Sequence, residues 1–223
     1  MTDKIYDKEI DSFRPVVPNV FFEPENLFRK FDFNIDKEYI FNYHKTHIHD
    51  YDVINVRQGK IYGLKVNNID YFEEIETNFL NYFNIIGHTF DKGLMHYDIG
   101  KGINPHLDRP YSQSSCVIMF PIQAPTPMIF HEYVGNEPDM IVVHRTDLWV
   151  NNIGMELSVP MDKPMVVNTD VLHSAISDDT VRILMKWNVK TLEFCDLVEI
   201  MKTKHERLSS NVRVNPFFKE FTG

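Results

Sequence analysis

The residues best suited to chemistry in this chain are His106 and Asp108, two positions apart, with His173 far downstream and Arg182 nine residues beyond it. Two imidazoles and one carboxylate on one face of a metal hold a mononuclear non-haem Fe(II) and leave its other positions open. An arginine grips a remote carboxylate through two parallel hydrogen bonds, with a charge that no ordinary pH removes. In an extended segment residues i and i+2 project the same way, so His106 and Asp108 can reach one ion together. The pair alone is weak. Ten histidines and 32 acidic residues give about 1.4 His-x-acid matches by chance, and the chain has two, the other being His96-Tyr97-Asp98. Setting separates them. His96 and Asp98 belong to an apparent strand over 94–99, whereas His106 follows a Gly- and Pro-containing turn over 100–105, at a strand mouth where an open coordination site is natural.

Such groups need a scaffold, and the pattern between residues 93 and 189 supplies one. Short apolar or alternating runs at 94–99, 114–120, 127–134, 139–144, 147–151, 164–168, 171–176 and 181–189 alternate with Gly and Pro punctuation. About eight short strands at this spacing predict a β-sandwich, jelly roll or barrel. Upstream, Phe72, Ile75, Phe79 and Phe83 recur at helical spacing, with Asn68 or Asp70 as cap and Gly87 past the end. Runs over 51–56 and 60–66 read as a strand pair around Gln58-Gly59, and residues 1–50, punctuated by Pro15, Pro18 and Pro24, as irregular structure or edge strands. A last helix is predicted over 192–208. The expected organisation is one domain over 1–223, with N-terminal strands and a supporting helix over 1–92, a β core over 93–190, and a C-terminal helix and tail over 191–223.

Composition bounds the partners. A net charge of −9 gives no basic footprint and argues against gripping a nucleic-acid backbone. Two cysteines without a CxxC pattern argue against a disulfide framework or thiolate zinc site and favour a reducing compartment. The charged N-terminus has no apolar signal core, and no run is long enough to span a bilayer, so a soluble, cytoplasmic protein is expected.

The run from Tyr97 through Gly100, Gly102 and Pro105 to His106-Leu107-Asp108 resembles the Tyr…Gly…Pro-His-x-Asp segment of prolyl-hydroxylase-like 2-oxoglutarate/Fe(II) dioxygenases. Asn168 to His173, followed by Arg182 to Trp187, resembles that superfamily's distal-histidine strand and its basic strand. The resemblance covers residues 93–190. It implies a double-stranded β-helix, Fe(II) bound by His106, Asp108 and His173, and 2-oxoglutarate anchored by Arg182 with Tyr97 as a further contact. It also implies O₂ as cosubstrate and hydroxylation of an unactivated C–H, with release of succinate and CO₂. The substrate would be an amino acid, a peptide or another small molecule. Two departures stand out: prolyl hydroxylases often carry lysine where this chain has Arg182, and Tyr97 lies one residue further from the histidine than in the family's pattern.

Rival readings attach to the same residues. His131 and His144, both on apparent strands, compete with His173; Lys186 competes with Arg182. His44, His47 and His49 cluster beside Asp50 with no period that puts them on one face. The Pro-rich segment over 121–139 is read as a loop shaping the entrance. At the level of the whole chain, the alternatives are a non-catalytic jelly-roll binding or structural module, and a cupin-type metalloenzyme that does not use 2-oxoglutarate.

Overall fold

The computed structural model describes residues 14–15, 22–56, 59–106, 116–124, 126–134, 140–141 and 153–211. In chain order the elements are β1 (Arg14–Pro15), α1 (Pro24–Leu27), β2 (Phe28–Lys30), α2 (Lys37–Thr46), β3 (Asp52–Val56), β4 (Gly59–Lys65), α3 (Asp70–Phe83), β5 (Phe90–Tyr97), β6 (Gly102–His106), β7 (Cys116–Gln123), β8 (Met128–Tyr133), β9 (Met140–Ile141), β10 (Ile153–Val159), β11 (Met165–Asn168), β12 (Leu172–Ile176), β13 (Arg182–Val189) and α4 (Phe194–Asn211).

A larger sheet runs β2-β11-β7-β13-β5-β4-β3 and a smaller one β10-β8-β12-β6; β1 pairs with β9 apart from both. From β5 onward the chain places β5, β7, β11 and β13 in the larger sheet and β6, β8, β10 and β12 in the smaller. Pairing is antiparallel throughout. This is the double-stranded β-helix that the resemblance implies, a jelly roll being one of the architectures that the strand spacing allows.

Alternation along each strand sorts side chains into two cores. Val117, Met119, Val167 and Leu184 of the larger sheet meet Met128, Phe130 and Val159 of the smaller one between the sheets. Ile118, Phe120, Met185, Trp187 and Val189 point outward and are covered by Phe72, Ile75, Phe79 and Phe83 of α3 and by Leu197, Val198 and Met201 of α4. Hence β13 has an outer face of Met185, Trp187 and Val189 and an inner face that begins with Arg182 and Leu184.

Several local expectations need correction. The segment before residue 50 holds a helix, α2, whose start is capped by Asp36 accepting from the Tyr39 N–H at 2.9 Å. Its apolar positions Ile40 and Tyr43 join the outer core, a period hidden by the surrounding Asn, Lys and His. The cap of α3 is neither Asn68 nor Asp70: Ile69 holds the position, and the Glu73 carboxylate reaches back to the Asn68 N–H at 2.7 Å. Residues 100–105 are not all turn, because β6 begins at Gly102, and β10 at Ile153–Val159 was not foreseen. The strand expected over 147–151 lies outside the described residues.

Candidate functional site

β6 places His106. Register pairs His106 with His173 and Ile103 with Ala175, so the two residues of β6 between these pairs oppose one of β12. That bulge absorbs one residue of the Asn104-Pro105 pair, and proline, which cannot donate to a ladder, is tolerated on an edge strand or at a bulge. Without it His106 and Ile103 would face opposite ways. With it, both share the inner face with His173 and Ala175. The two imidazoles meet with ring centroids 4.4 Å apart and an interplanar angle of 47°.

His173 is 2% exposed. Its Nδ1 lies 2.9 Å from the Val171 carbonyl oxygen, which can only accept, so Nδ1 carries the ring proton and Nε2 carries the lone pair. An imidazole that binds a metal through Nε2 needs this tautomer, held by this kind of second bond. His131 is excluded as a rival by the same accounting. Its Nδ1 faces the Glu156 carboxylate at 2.8 Å and its Nε2 faces the Ser174 hydroxyl at 2.8 Å, so both nitrogens are engaged. It also pairs directly with Leu172, on the face of the smaller sheet away from His173. Burial holds the His131 pKa below the ordinary value, against the opposing pull of Glu156. His144 and Asp108 lie outside the described residues, and among the described residues no group of three metal-binding side chains occurs.

At the other end of the inter-sheet space stands Arg182, fully buried. Its Nη1 donates to the Thr126 carbonyl (3.2 Å), the Thr126 hydroxyl (3.0 Å) and the Pro127 carbonyl (3.1 Å), while Nε and Nη2 have no hydrogen-bond partner among the described residues. Burial works against the guanidinium charge, and Tyr97 partly offsets this. Tyr97 is the direct cross-strand partner of Arg182, and the guanidinium carbon lies 5.8 Å from its ring centroid, within cation–π range. Thr126 and Pro127 come from the short β7–β8 connection. Within the segment expected to shape an entrance, residues 121–123 and 128–133 are strand, and Thr126 and Pro127 between them cradle the arginine. Lys186, the alternative cation, shares the inner face of β13 but starts about 13 Å further along it.

The two ends are connected by register. Gly100 N–H bonds the Asp178 carbonyl at 3.0 Å and Ser177 N–H the Lys101 carbonyl at 2.7 Å, so the start of β6 and the end of β12 lie beside the end of β5 and the start of β13. His106 is the last residue of β6, about 13 Å along the strand from Gly102 at its start. The interior thus offers an imidazole pair at one depth and a cation with two unused donors at another. A cleft of about 410 Å³ between α1, the β11–β12 turn and α4 is lined by Glu25, Asp170, Glu193 and Lys202 among others, and by none of His106, His173, Tyr97 or Arg182.

No protein-family model matches the chain, and no curated protein matches its sequence. Solved structures match its shape. The non-haem α-ketoglutarate-dependent epimerase SnoN from nogalamycin biosynthesis aligns with a TM-score of 0.52 at 9% identity, over 73% of this chain and 78% of that one. In fold, this chain is similar to the 2-oxoglutarate/Fe(II) oxygenases. A prolyl-4-hydroxylase from Pseudomonas putida aligns at 0.49 and 11% identity, over 75% of this chain and 94% of that one. The α-ketoglutarate-dependent carbocyclase SnoK aligns at 0.49 and 7%, over 74% and 79%. At such identities the likeness is one of architecture, and the roles of individual residues rest on the geometry above.

Proposed function

We propose that this chain is an Fe(II)- and 2-oxoglutarate-dependent oxygenase that hydroxylates an unactivated C–H of an amino-acid, peptide or other small substrate. The observation that carries the reading is Arg182. A buried guanidinium with two unused donors is expensive in an apolar interior unless an anion completes it. The Thr126–Pro127 cradle fixes one edge of the guanidinium and leaves the other for a carboxylate in bidentate geometry.

In this reading His106, Asp108 and His173 hold the metal and Arg182 the distal carboxylate of 2-oxoglutarate, beside Tyr97. Bound there, iron with 2-oxoglutarate and O₂ supplies the oxidising equivalents, and succinate and CO₂ are released. The residues orient and shield: Val171 fixes the His173 tautomer, and Leu184, Val117, Met119 and Phe130 exclude water. SnoN, with the same fold, is an epimerase, so the outcome at the substrate carbon is set by the substrate's placement and not by the scaffold.

The test is an anaerobic titration with Fe(II) and 2-oxoglutarate. Wild type develops a visible metal-to-ligand charge-transfer band, and His106→Ala abolishes it. A wild-type protein that binds Fe(II) but shows no band belongs to the metalloenzymes without 2-oxoglutarate. One that binds no Fe(II) is a binding or structural module.

A further inference from the structure

On the outer face of the larger sheet, four side chains form an unbroken hydrogen-bonded line. The Tyr51 hydroxyl lies 2.7 Å from His44 Nδ1, His44 Nε2 lies 3.2 Å from His96 Nδ1, and His96 Nε2 lies 2.9 Å from the Asp98 carboxylate. Tyr51, His44 and His96 are buried, whereas the Asp98 side chain is half exposed. The four come from three places in the sequence: α2, the start of β3, and the end of β5. Tyr62, the direct cross-strand neighbour of His96, closes the side of the line edge-on.

With both rings neutral, only one proton arrangement satisfies every contact. Asp98 can only accept, so His96 carries its proton on Nε2 and accepts on Nδ1. His44 must then donate from Nε2 and accept on Nδ1, leaving the Tyr51 hydroxyl to donate. All the bonds run one way, from the buried phenol to the surface carboxylate, and such aligned chains polarise one another. Burial, repulsion from His96 and repulsion from Lys45 hold His44 near a pKa of about 4, and burial pushes the Tyr51 phenol up. Both keep the neutral forms that the line needs.

His96 and Asp98 flank Tyr97. The residues anchored outward by the line are thus the two neighbours of the residue that faces inward against Arg182. We infer that the Tyr51–His44–His96–Asp98 line is a positioning device for the cosubstrate clamp: it fixes the end of β5, and through Tyr97 it sets where the Arg182 guanidinium points. This rests on the reading of Arg182 as the group that holds a carboxylate.

The line is tested with His96→Gln, His44→Gln and Tyr51→Phe, the last removing a single hydroxyl and keeping the fold testable if a histidine variant does not express. Expected are a loss of 2-oxoglutarate affinity of about tenfold for the histidine variants and less for Tyr51→Phe, with Fe(II) affinity within about twofold of wild type. The double variant His44→Gln/His96→Gln should be no worse than either single one, because both break the same line. An independent readout is the Arg182 Nε–H cross-peak in a ¹⁵N–¹H spectrum, assigned by its absence in Arg182→Lys. It should shift in the line variants and stay in place in Lys163→Ala, which removes only an exposed ion pair with Asp32. Folded line variants that leave the Arg182 signal and the 2-oxoglutarate affinity unchanged overturn the inference, as does equal loss of metal and 2-oxoglutarate. If wild type binds no 2-oxoglutarate at all, it is the cosubstrate reading that fails, and the Arg182 signal still decides whether the line positions the guanidinium.

Discussion

A fully buried arginine with two unpartnered nitrogens among the described residues is costly, and its cost makes a sharp prediction. Replacing a buried charge by an apolar group of similar size is often neutral or stabilising, because the desolvation penalty disappears with it. Arg182→Met should therefore leave the ligand-free protein at least as resistant to heat as wild type, although the Nη1 bonds to Thr126 and Pro127 are lost. Ligand binding adds about 2.7 kcal/mol of stability at a hundredfold excess over Kd. The rise in melting temperature that 2-oxoglutarate and a divalent metal give the wild type should shrink in Arg182→Met to the rise given by metal alone. Thermal unfolding of the four states measures this. A variant that melts far below wild type without ligand, yet keeps its response to 2-oxoglutarate, would show that Arg182 is a structural brace. Sequence alone supplied the arginine and its place at the head of a strand. The orphaned Nε and Nη2 could not be read there, since they depend on a β7–β8 connection that presents carbonyls to only one edge of the guanidinium.

At the scale of elements, α3 backs the sheet that carries Arg182. Phe79 has no exposed surface and its ring contacts those of Phe31, Phe33, Phe83, Phe90, Phe120 and Trp187. Phe79→Ala should cost about 3–5 kcal/mol, read as a lower urea midpoint with little change in slope. Variant that remains folded should bind 2-oxoglutarate nearly as wild type does, since α3 touches only the outer face. This helix was legible because Phe72, Ile75, Phe79 and Phe83 recur every three or four residues. Two other elements were not. In β6, Pro105 and the glycines look like turn chemistry, and only the pairing with β12 shows that a bulge turns His106 inward. In α2, His44 falls in a polar stretch with His47 and His49, and its partner His96 is 52 residues away, so no local period connects them.

For the molecule as a whole, order along the chain was enough to suggest a jelly roll, because strand spacing and turn residues are local signals. The meeting of His106 with His173 and of Tyr97 with Arg182 is a property of register between strands far apart in sequence, and a one-residue slip would dissolve both. The same long-range closure makes global stability respond to pH through His44. Its pKa is lowered from 6.5 to about 4 in the folded chain, so between these values the unfolded chain binds more protons than the folded one. The stabilisation is complete above pH 6.5 and is lost progressively as pH falls toward 4. At about 1.4 kcal/mol per unit, the loss from this residue has a ceiling of about 3.5 kcal/mol. His44→Gln should flatten that part of the profile, with a smaller difference between unfolding free energies at pH 7 and pH 4.5 than wild type shows in the metal-free protein. Removing metal from both samples matters, because metal binding by side chains is itself pH-dependent and would disguise the effect. Parallel wild-type and His44→Gln profiles would mean that the neutral form of His44 is not what the fold requires. A flattened profile together with an unmoved Arg182 signal would confine the histidine line to stability and remove its link to the clamp.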